Sequence, residues 1–465
     1  MLSPGDAVAL GAAAGSRPPD ARRSPAAVVL AVVLLLVGGI ALTGCSVTPT
    51  APARPHATGS SSNAPNTQQN AAGPSVARED ALAALLRTRA AAVLARNRAA
   101  FAATLDSTKS GFGLRQLEAF DALSRLPLGS FSYGAPEPAP ALSVARVAQR
   151  GPDAWVARVT GHYSLAGFDT AQRDFESYFS VVRRGGRWKL ADDTDGGTQP
   201  QLWDLPRFTV LSNPTTLVIG VGPVARLRPY LALGSAAVTA VREVWQGQWN
   251  GHLVLVVPGS AAQMAEQVGQ QAGQVDQVAA ITDGPFDAQG RAGADRVGVN
   301  PAACARLPSR GQQVVISHEA THVAIRATTD RPVPLWLSEG MADFVGYRGS
   351  GATRQEVAAP LLDQVRAGKG PQGLPTAADF DPAHSTIAPS YNAAWLAVSR
   401  LADRFGTAAV VRLYRDAATS PAPGSPPGDP DANTRAAFVS VLHLTEAQFT
   451  RDWLAYLRRL SASGA

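Results

Sequence analysis

The chain contains 465 residues, of which 45% are hydrophobic and 17% are charged. This composition excludes a largely disordered protein, which would have low hydrophobicity and high charge. Lysine and arginine together number 42, and aspartate and glutamate number 36. The formal net charge is therefore only +6, and no dense basic run indicates a nucleic-acid partner. The two cysteines, Cys45 and Cys304, exclude a disulfide framework and a four-cysteine metal site.

Residues 1–45 have the pattern of an export signal. Arg22 and Arg23 precede an apolar run from residue 26 to residue 42, and small residues follow. The sequence Leu-Thr-Gly-Cys that ends at Cys45 resembles a bacterial lipobox. This resemblance implies that Cys45 is lipidated and anchors the protein to the extracytoplasmic face of the bacterial cell membrane. The alternative is an uncleaved transmembrane helix, since about 17 apolar residues just span a bilayer.

Residues 46–77 have the composition of a flexible tether. They are mainly Ser, Thr, Pro, Ala, Asn and Gln, and Arg54 carries their only formal charge. Such a segment has too little apolar surface to offset the entropy of ordering. We expect it to hold the following domains away from the membrane.

The pattern of residues 78–197 predicts helices followed by strands. Apolar residues recur at helical spacing over 81–94 and 114–123. Strand-like runs follow at 155–160, 162–165, 175–182 and 187–190, with a Gly-Gly hairpin turn between the last two. This order predicts an α+β domain. It is similar to a nuclear-transport-factor-2-like cone. The sequence of this domain has no paired catalytic carboxylates and no histidine cluster, which favours a ligand-binding or spacer module.

Residues 198–465 predict a small sheet followed by a mainly helical half. Strand-like runs lie at 209–211, 216–221, 252–257, 278–282 and 296–299, and helical patterns lie at 227–244 and 260–268. After residue 310 almost every pattern is helical, apart from a Pro/Gly-rich surface loop at 420–430. A capping box, Thr445 to Gln448, marks the start of the last helix.

The chemistry lies in an HExxH sequence formed by His318, Glu319 and His322. On a helix, residues four apart lie on one face, so both imidazoles can bind one zinc ion from the same side. Glu319 is then placed to act as general base. A catalytic zinc site needs a third protein ligand, and the continuation with a third histidine is excluded because Ile325 and Thr328 occupy its characteristic positions. Glu339 is the best remaining candidate.

The segment Trp336-Leu337-Ser338-Glu339-Gly340 resembles the W-L-x-E-G motif of the gluzincins, the thermolysin-like and aminopeptidase-N-like zinc peptidases. This resemblance implies that Glu339 is the third zinc ligand and that Asp343 bonds a ligand histidine. The alternatives are a solvated or N-capping Glu339 and a simple surface charge at Asp343. The spacing from His322 to Glu339 is slightly shorter than in those families. A GAMEN-type exopeptidase motif is missing from the sequence, which favours an endopeptidase.

The gluzincin resemblance also suggests residues for substrate binding. In that family the edge strand before the HExxH helix pairs with the substrate, which would assign this role to Val297, Gly298, Val299 and Asn300; the alternative is an ordinary buried strand. Tyr391 resembles the transition-state tyrosine of the aminopeptidase-N-like members, although Ala393 and Ala394 replace the lysine and glycine of that motif. The alternative for Tyr391 is a core residue.

These patterns together predict a lipid-anchored zinc endopeptidase that acts on peptides or proteins. The alternatives are a non-catalytic lipoprotein that binds a ligand through its N-terminal cone-like domain, and a structural protein of the envelope.

Overall fold

The computed structural model describes residues 30–32, 76–247, 249–381, 387–419 and 429–463. Residues Leu30–Val32 form a strand, β1. The rest of the predicted export signal, the lipobox with Cys45, the tether up to residue 75 and most of the predicted loop at 420–430 lie outside the described residues. Within the described part, no helix combines the length and the apolar character needed to cross a bilayer.

The N-terminal module, residues 76–205, combines helices with an antiparallel sheet. Its helices are α1 (Val76–Leu94), α2 (Arg98–Ala102), α3 (Gly111–Leu123) and α4 (Val144–Arg150). Its strands are β2 (Leu128–Tyr133), β3 (Glu137–Pro138), β4 (Trp155–Leu165), β5 (Arg173–Arg184) and β6 (Arg187–Asp192). The strand order is β2-β4-β5-β6, and β3 pairs with β4. The α+β class predicted from the sequence is confirmed.

Bulges curl this sheet around the helices. Register shifts lie between Leu128 and Ser130 in β2 and between Ser180 and Val181 in β5. Such bulges bend a strand and increase its twist. Residues of β4 alternate between buried and half-buried positions, so one face of the sheet covers the apolar side chains of α1 and α3. The strands predicted at 155–160 and 162–165 are one strand, because Gly161 stays in register with Phe175.

A second, mixed sheet begins the C-terminal part of the chain. Its strands besides β1 are β7 (Phe208–Ser212), β8 (Thr216–Val221), β9 (Leu253–Val257), β10 (Ala280–Asp283) and β11 (Arg296–Val299). The strand order is β1-β10-β11-β9-β8-β7. Strands β8, β9 and β11 are parallel, whereas β7, β10 and β1 are antiparallel to their neighbours.

The remaining helices form the helical half. They are α5 (Val224–Val244), α6 (Ala261–Gln267), α7 (Pro301–Ala305), α8 (Ser309–Thr328), α9 (Leu335–Tyr347), α10 (Arg354–Val357), α11 (Ala359–Arg366), α12 (Ala388–Phe405), α13 (Thr407–Thr419), α14 (Pro430–Leu442) and α15 (Glu446–Ala462). Helix α5 makes the crossover between the parallel strands β8 and β9. Helix α15 begins with the predicted capping box, since Thr445 and Gln448 bond each other's backbone amides.

The second sheet lies between the N-terminal module and the helical half. In β8, Leu217 and Ile219 pack with the N-terminal module, whereas Val218 packs with the helical half. Neighbouring residues of a strand point to opposite faces, so the two faces of β8 serve two cores. The domain boundary expected near residue 198 thus separates segments that share an apolar core.

Buried ion pairs also join the N-terminal module to this sheet. Arg296 of β11 binds Asp169 through two hydrogen bonds, both 2.7 Å long. Arg173 of β5 pairs with the carboxylate of Asp283 in β10 and donates to the Asp283 carbonyl oxygen across 3.3 Å. Both ion pairs also form hydrogen bonds, and their side chains are largely removed from solvent. They therefore fix β10 and β11 against the N-terminal module.

Candidate metal centre

Helix α8 carries the HExxH motif through the middle of the protein. Every residue from Val314 to Ile325 is buried. A helix that is buried on all sides must have structure around its whole circumference, and here the second sheet, α5 and α9 provide it. His318 and His322 lie one turn apart on the same face, with ring centroids 4.8 Å apart.

Helix α9 brings a carboxylate to the two imidazoles. Oε2 of Glu339 lies 3.3 Å from Nε2 of His318 and 3.6 Å from Nε2 of His322. The two Nε2 atoms are 3.0 Å apart. Glu339 is 2% exposed, so the predicted alternative of a solvated glutamate is wrong. The structure therefore brings together the three side chains that were predicted as metal ligands.

The spacing of these three atoms fits a cation. In a tetrahedral site with metal–ligand bonds of about 2.0–2.1 Å, the ligand atoms are about 3.3 Å apart. The three observed separations lie on both sides of this value. Glu339 Oε2 is buried and makes no hydrogen bond of regular geometry among the described residues, so the two imidazole nitrogens are its polar neighbours and a positive charge, a proton or a cation, is needed between them. His318, His322 and Glu339 can thus bind a metal ion.

Asp343, one turn after Glu339 on α9, orients the first of these histidines. Its Oδ1 lies 2.8 Å from Nδ1 of His318, and both side chains are buried. An ionised carboxylate accepts the proton on Nδ1, so Nε2 is the nitrogen that remains for a cation. The alternative of a surface charge at position 343 is wrong.

Electrostatics bind the cluster together even without a cation. Burial alone lowers the pKa of His318, but the carboxylates of Asp343 and Glu339 outweigh burial and raise this pKa to about 10. Burial raises the pKa of Glu339, but the two histidines outweigh it and lower this pKa to about 2. A cation that binds here replaces a proton held among these groups, so metal uptake releases protons.

Glu319 lies beside the ligands and has a partner that the sequence did not reveal. Its Oε2 accepts a hydrogen bond of 2.7 Å from Oγ1 of Thr282 in β10. Its Oε1 is buried and has no hydrogen-bond partner among the described residues. Burial is the main reason that the pKa of Glu319 is raised, since a desolvated carboxylate favours its neutral form.

Tyr391 of α12 is also near the cluster. It is 9% exposed, and its ring packs edge-on against Phe380 with centroids 5.2 Å apart. Burial and the nearby carboxylates of Glu339, Asp343 and Glu319 raise the pKa of the Tyr391 hydroxyl well above its ordinary value. Tyr391 therefore keeps its proton and remains a hydrogen-bond donor.

The predicted substrate strand is not at an edge. Strand β11, with Val297, Gly298 and Val299, lies between β10 and β9, so its backbone is already paired on both sides. Val297 and Val299 belong to the apolar core of the helical half. Asn300 is fully buried and caps α7 by accepting bonds from the amides of Ala302 and Ala303. The assignment of these four residues to substrate pairing is wrong, because β10 lies outside β11 in the sheet.

No protein-family model matches the sequence, and a search of curated proteins finds no similar one. The functional assignment therefore depends on the residues of the chain and their geometry.

Proposed function

We propose that the protein is a zinc metallopeptidase that hydrolyses peptide bonds within polypeptides. The observation that carries the proposal is the buried cluster of two imidazole nitrogens and one carboxylate oxygen, separated by 3.0, 3.3 and 3.6 Å, with the Glu319 carboxylate beside it. Two histidines and one glutamate are the ligand set of catalytic zinc sites that keep a fourth position open. In this proposal the second half of the chain is a gluzincin-like domain, and the first is a nuclear-transport-factor-2-like domain.

The residues of the site have separable roles in this proposal. His318, His322 and Glu339 hold the ion, and Asp343 fixes the orientation of His318. A zinc ion here would supply Lewis acidity and lower the pKa of water. Glu319 takes the proton of the attacking water on Oε1 and passes it to the leaving amine. Burial raises the pKa of Glu319, which is the direction that makes a carboxylate a better proton acceptor.

Tyr391 stabilises the charge that develops on the scissile carbonyl oxygen in this proposal. Its hydroxyl stays protonated, as an oxyanion donor must. We expect Tyr391→Phe to lower kcat about 100-fold with an unchanged KM and zinc content. An unchanged kcat would instead assign Tyr391 to the core.

Support for a peptide substrate comes from the outer edge of β10. This edge pairs antiparallel with Leu30–Val32, so it already accepts an extended segment of polypeptide. Addition of a strand to a sheet edge is a general way to bind peptides. Cleavage at the lipobox would remove residues 30–32 and leave the edge open to a substrate.

The proposed location is the extracytoplasmic face of the bacterial cell membrane, with lipidated Cys45 as the anchor. Growth with a labelled fatty acid tests this. The wild-type protein should take up the label and Cys45→Ala should not. A label-free protein that stays in the membrane fraction would support the transmembrane alternative.

The experiment on the activity uses the purified mature protein, processed at the lipobox so that residues 30–32 are absent, and its Glu319→Gln variant. We expect about one zinc per chain in both proteins. The wild type should cleave casein, and a zinc chelator should stop this cleavage. Glu319→Gln should lose turnover and keep its zinc, because this side chain is not a ligand. Zinc-free folded protein, or cleavage by Glu319→Gln at the wild-type rate, would contradict the proposal.

Ligand binding without catalysis is a second candidate function, and one observation favours it. A cavity of about 440 Å³ lies between the N-terminal module and the second sheet, where Tyr163, Arg173 and Arg296 are among its lining residues. Cavities of this size commonly hold small molecules. This candidate would be favoured by two results together. The purified protein would contain no zinc, and a ligand would copurify with the wild type but not with Tyr163→Ala.

A further inference from the structure

A side chain outside α8 and α9, the helices that carry His318, Glu319, His322 and Glu339, contacts the Glu319 carboxylate. Thr282 is fully buried near the end of β10, and its Oγ1 lies 2.7 Å from Oε2 of Glu319. The same hydroxyl lies 3.2 Å from the backbone carbonyl oxygen of Glu319. A hydroxyl has a single proton, and the shorter distance directs that proton to the carboxylate.

The strand that carries Thr282 is held from both faces. Adjacent residues of a strand point to opposite faces, so Thr282 faces α8 while Asp283 faces the N-terminal module. Asp283 pairs there with Arg173. On the α8 side, Arg326 donates a hydrogen bond of 2.8 Å to the carbonyl oxygen of Gly284, just after the strand. The Thr282 hydroxyl therefore has a fixed position relative to α8.

This contact makes the two oxygens of the Glu319 carboxylate different. Oε2 is occupied by the Thr282 hydroxyl, whereas Oε1 is buried and has no hydrogen-bond partner among the described residues. A donor on one oxygen fixes the rotation of the carboxylate group. The other oxygen is then presented in one direction as a proton acceptor, which lowers the entropy to be lost on reaching the transition state.

We propose that Thr282 is a positioning residue for the general base, which holds Oε2 of Glu319 so that Oε1 receives the proton of the attacking water. This inference rests on the proposed function. It assigns to β10 a role beyond peptide binding, since the same strand orients the base.

The test compares two substitutions in the same mature, lipobox-processed protein. Thr282→Val keeps the shape of the side chain and removes the hydroxyl, whereas Thr282→Ser keeps the hydroxyl. We expect Thr282→Val to lower kcat about 10- to 100-fold, since slight misplacement of a catalytic group can cost about 100-fold. KM and zinc content should stay within about twofold of wild type, and Thr282→Ser should restore most of kcat.

A readout that needs no activity is a double-mutant cycle on stability. The variants are Thr282→Val, Glu319→Ala and both together, and the measurement is urea unfolding in one buffer. We expect the two substitutions to be non-additive by about tenfold in the unfolding equilibrium constant, as for residues in direct contact.

The outcomes separate this inference from the proposed function. Additive stabilities, or a Thr282→Val enzyme with the wild-type kcat, would overturn the inference alone. If the two substitutions are non-additive in stability but the wild-type protein hydrolyses no polypeptide, the proposed function is overturned. The positioning role then falls with it. Equal losses in Thr282→Val and Thr282→Ser would also overturn the inference, because the hydroxyl would not be the group that matters.

Discussion

Asp343 determines which nitrogen of His318 can meet a cation. The carboxylate lies 2.8 Å from Nδ1 and is buried with it, so the tautomer that places the lone pair on Nε2 is favoured. The role of Asp343 is therefore indirect, since it acts on the metal through the ring of His318.

We predict that Asp343→Ala weakens zinc binding about 10- to 100-fold. The loss follows because His318 can then rotate or take the other tautomer. Competition with a coloured zinc chelator measures the affinity. Asp153→Ala, which changes an exposed carboxylate of the N-terminal module, is the matched control and should bind zinc as the wild type does. Equal affinities in all three proteins would show that Asp343 does not orient His318.

The motif residues were predictable from the sequence because their geometry is local. The helical repeat alone places His318 and His322 on one face. Glu339 needed the resemblance to a known motif, since its approach depends on how α9 packs against α8. Thr282 was missed because it meets Glu319 from a strand 37 residues away, and its position depends on the order of strands in the sheet. The order of strands also explains why the prediction that β11 pairs with the substrate was wrong, since β10 lies outside β11 in the sheet.

At the level of elements, a close approach between α9 and α12 positions Glu339. A Cβ atom on Gly340 would lie 2.4 Å from the carbonyl oxygen of Ala394 and 2.7 Å from a methyl group of Val398. The first of these contacts is with backbone, which cannot rotate away. The residue after Glu339 must therefore be glycine for α9 to pack at this distance.

We predict that Gly340→Ala destabilises the protein by about 1–3 kcal/mol, the range for overpacking a core, and lowers zinc affinity because α9 must shift. Urea unfolding and zinc competition measure the two effects. Gly373→Ala is the control, since a Cβ there would have no heavy atom within 4 Å. A stable Gly340→Ala protein with normal zinc affinity would contradict the packing argument.

Most helices and strands were predictable from the sequence, but the residues at which they begin and end were harder to predict. Strands β8 and β11 have the predicted bounds, because turn residues or a proline follow each apolar run. Strand β10 was expected to start at Val278 and instead starts at Ala280. Residues 278–279 are as apolar as the strand itself, so hydrophobic pattern alone does not mark where pairing with β11 begins.

At the scale of the whole molecule, the N-terminal module is coupled to β10, the strand that contacts Glu319. The Arg173–Asp283 pair bridges the two parts, with the Asp283 side chain 8% exposed. Removal of one partner of a buried ion pair leaves the other charge unpaired in a poorly solvated place, which is strongly unfavourable.

We predict that Arg173→Met destabilises the protein by about 3 kcal/mol, since Asp283 would lose its partner. Arg98→Met is the matched control, because its pair with Asp121 is about half exposed on both sides and such pairs contribute at most about 1 kcal/mol. Urea unfolding measures both. Equal effects would show that the ion pair does not couple the module to the sheet.

The division into two parts was visible in the order of helices and strands, but the shared core was not. Strands β8 and β9 are continuous apolar runs, which indicates that both faces of each strand are buried. The sequence pattern does not show which part of the protein covers each face. Only the folded arrangement shows that one face meets the N-terminal module and the other the helical half.

The depth of the three side chains that can hold a metal ion has a kinetic consequence. His318, His322 and Glu339 are each at most 2% exposed, so an ion held by them would be largely enclosed by the described residues. Its escape must wait for a local opening of the structure, and the rate of opening rather than the strength of the ligand bonds sets its residence time. Zinc loss into excess chelator should then proceed at a rate independent of chelator concentration and should accelerate in dilute urea.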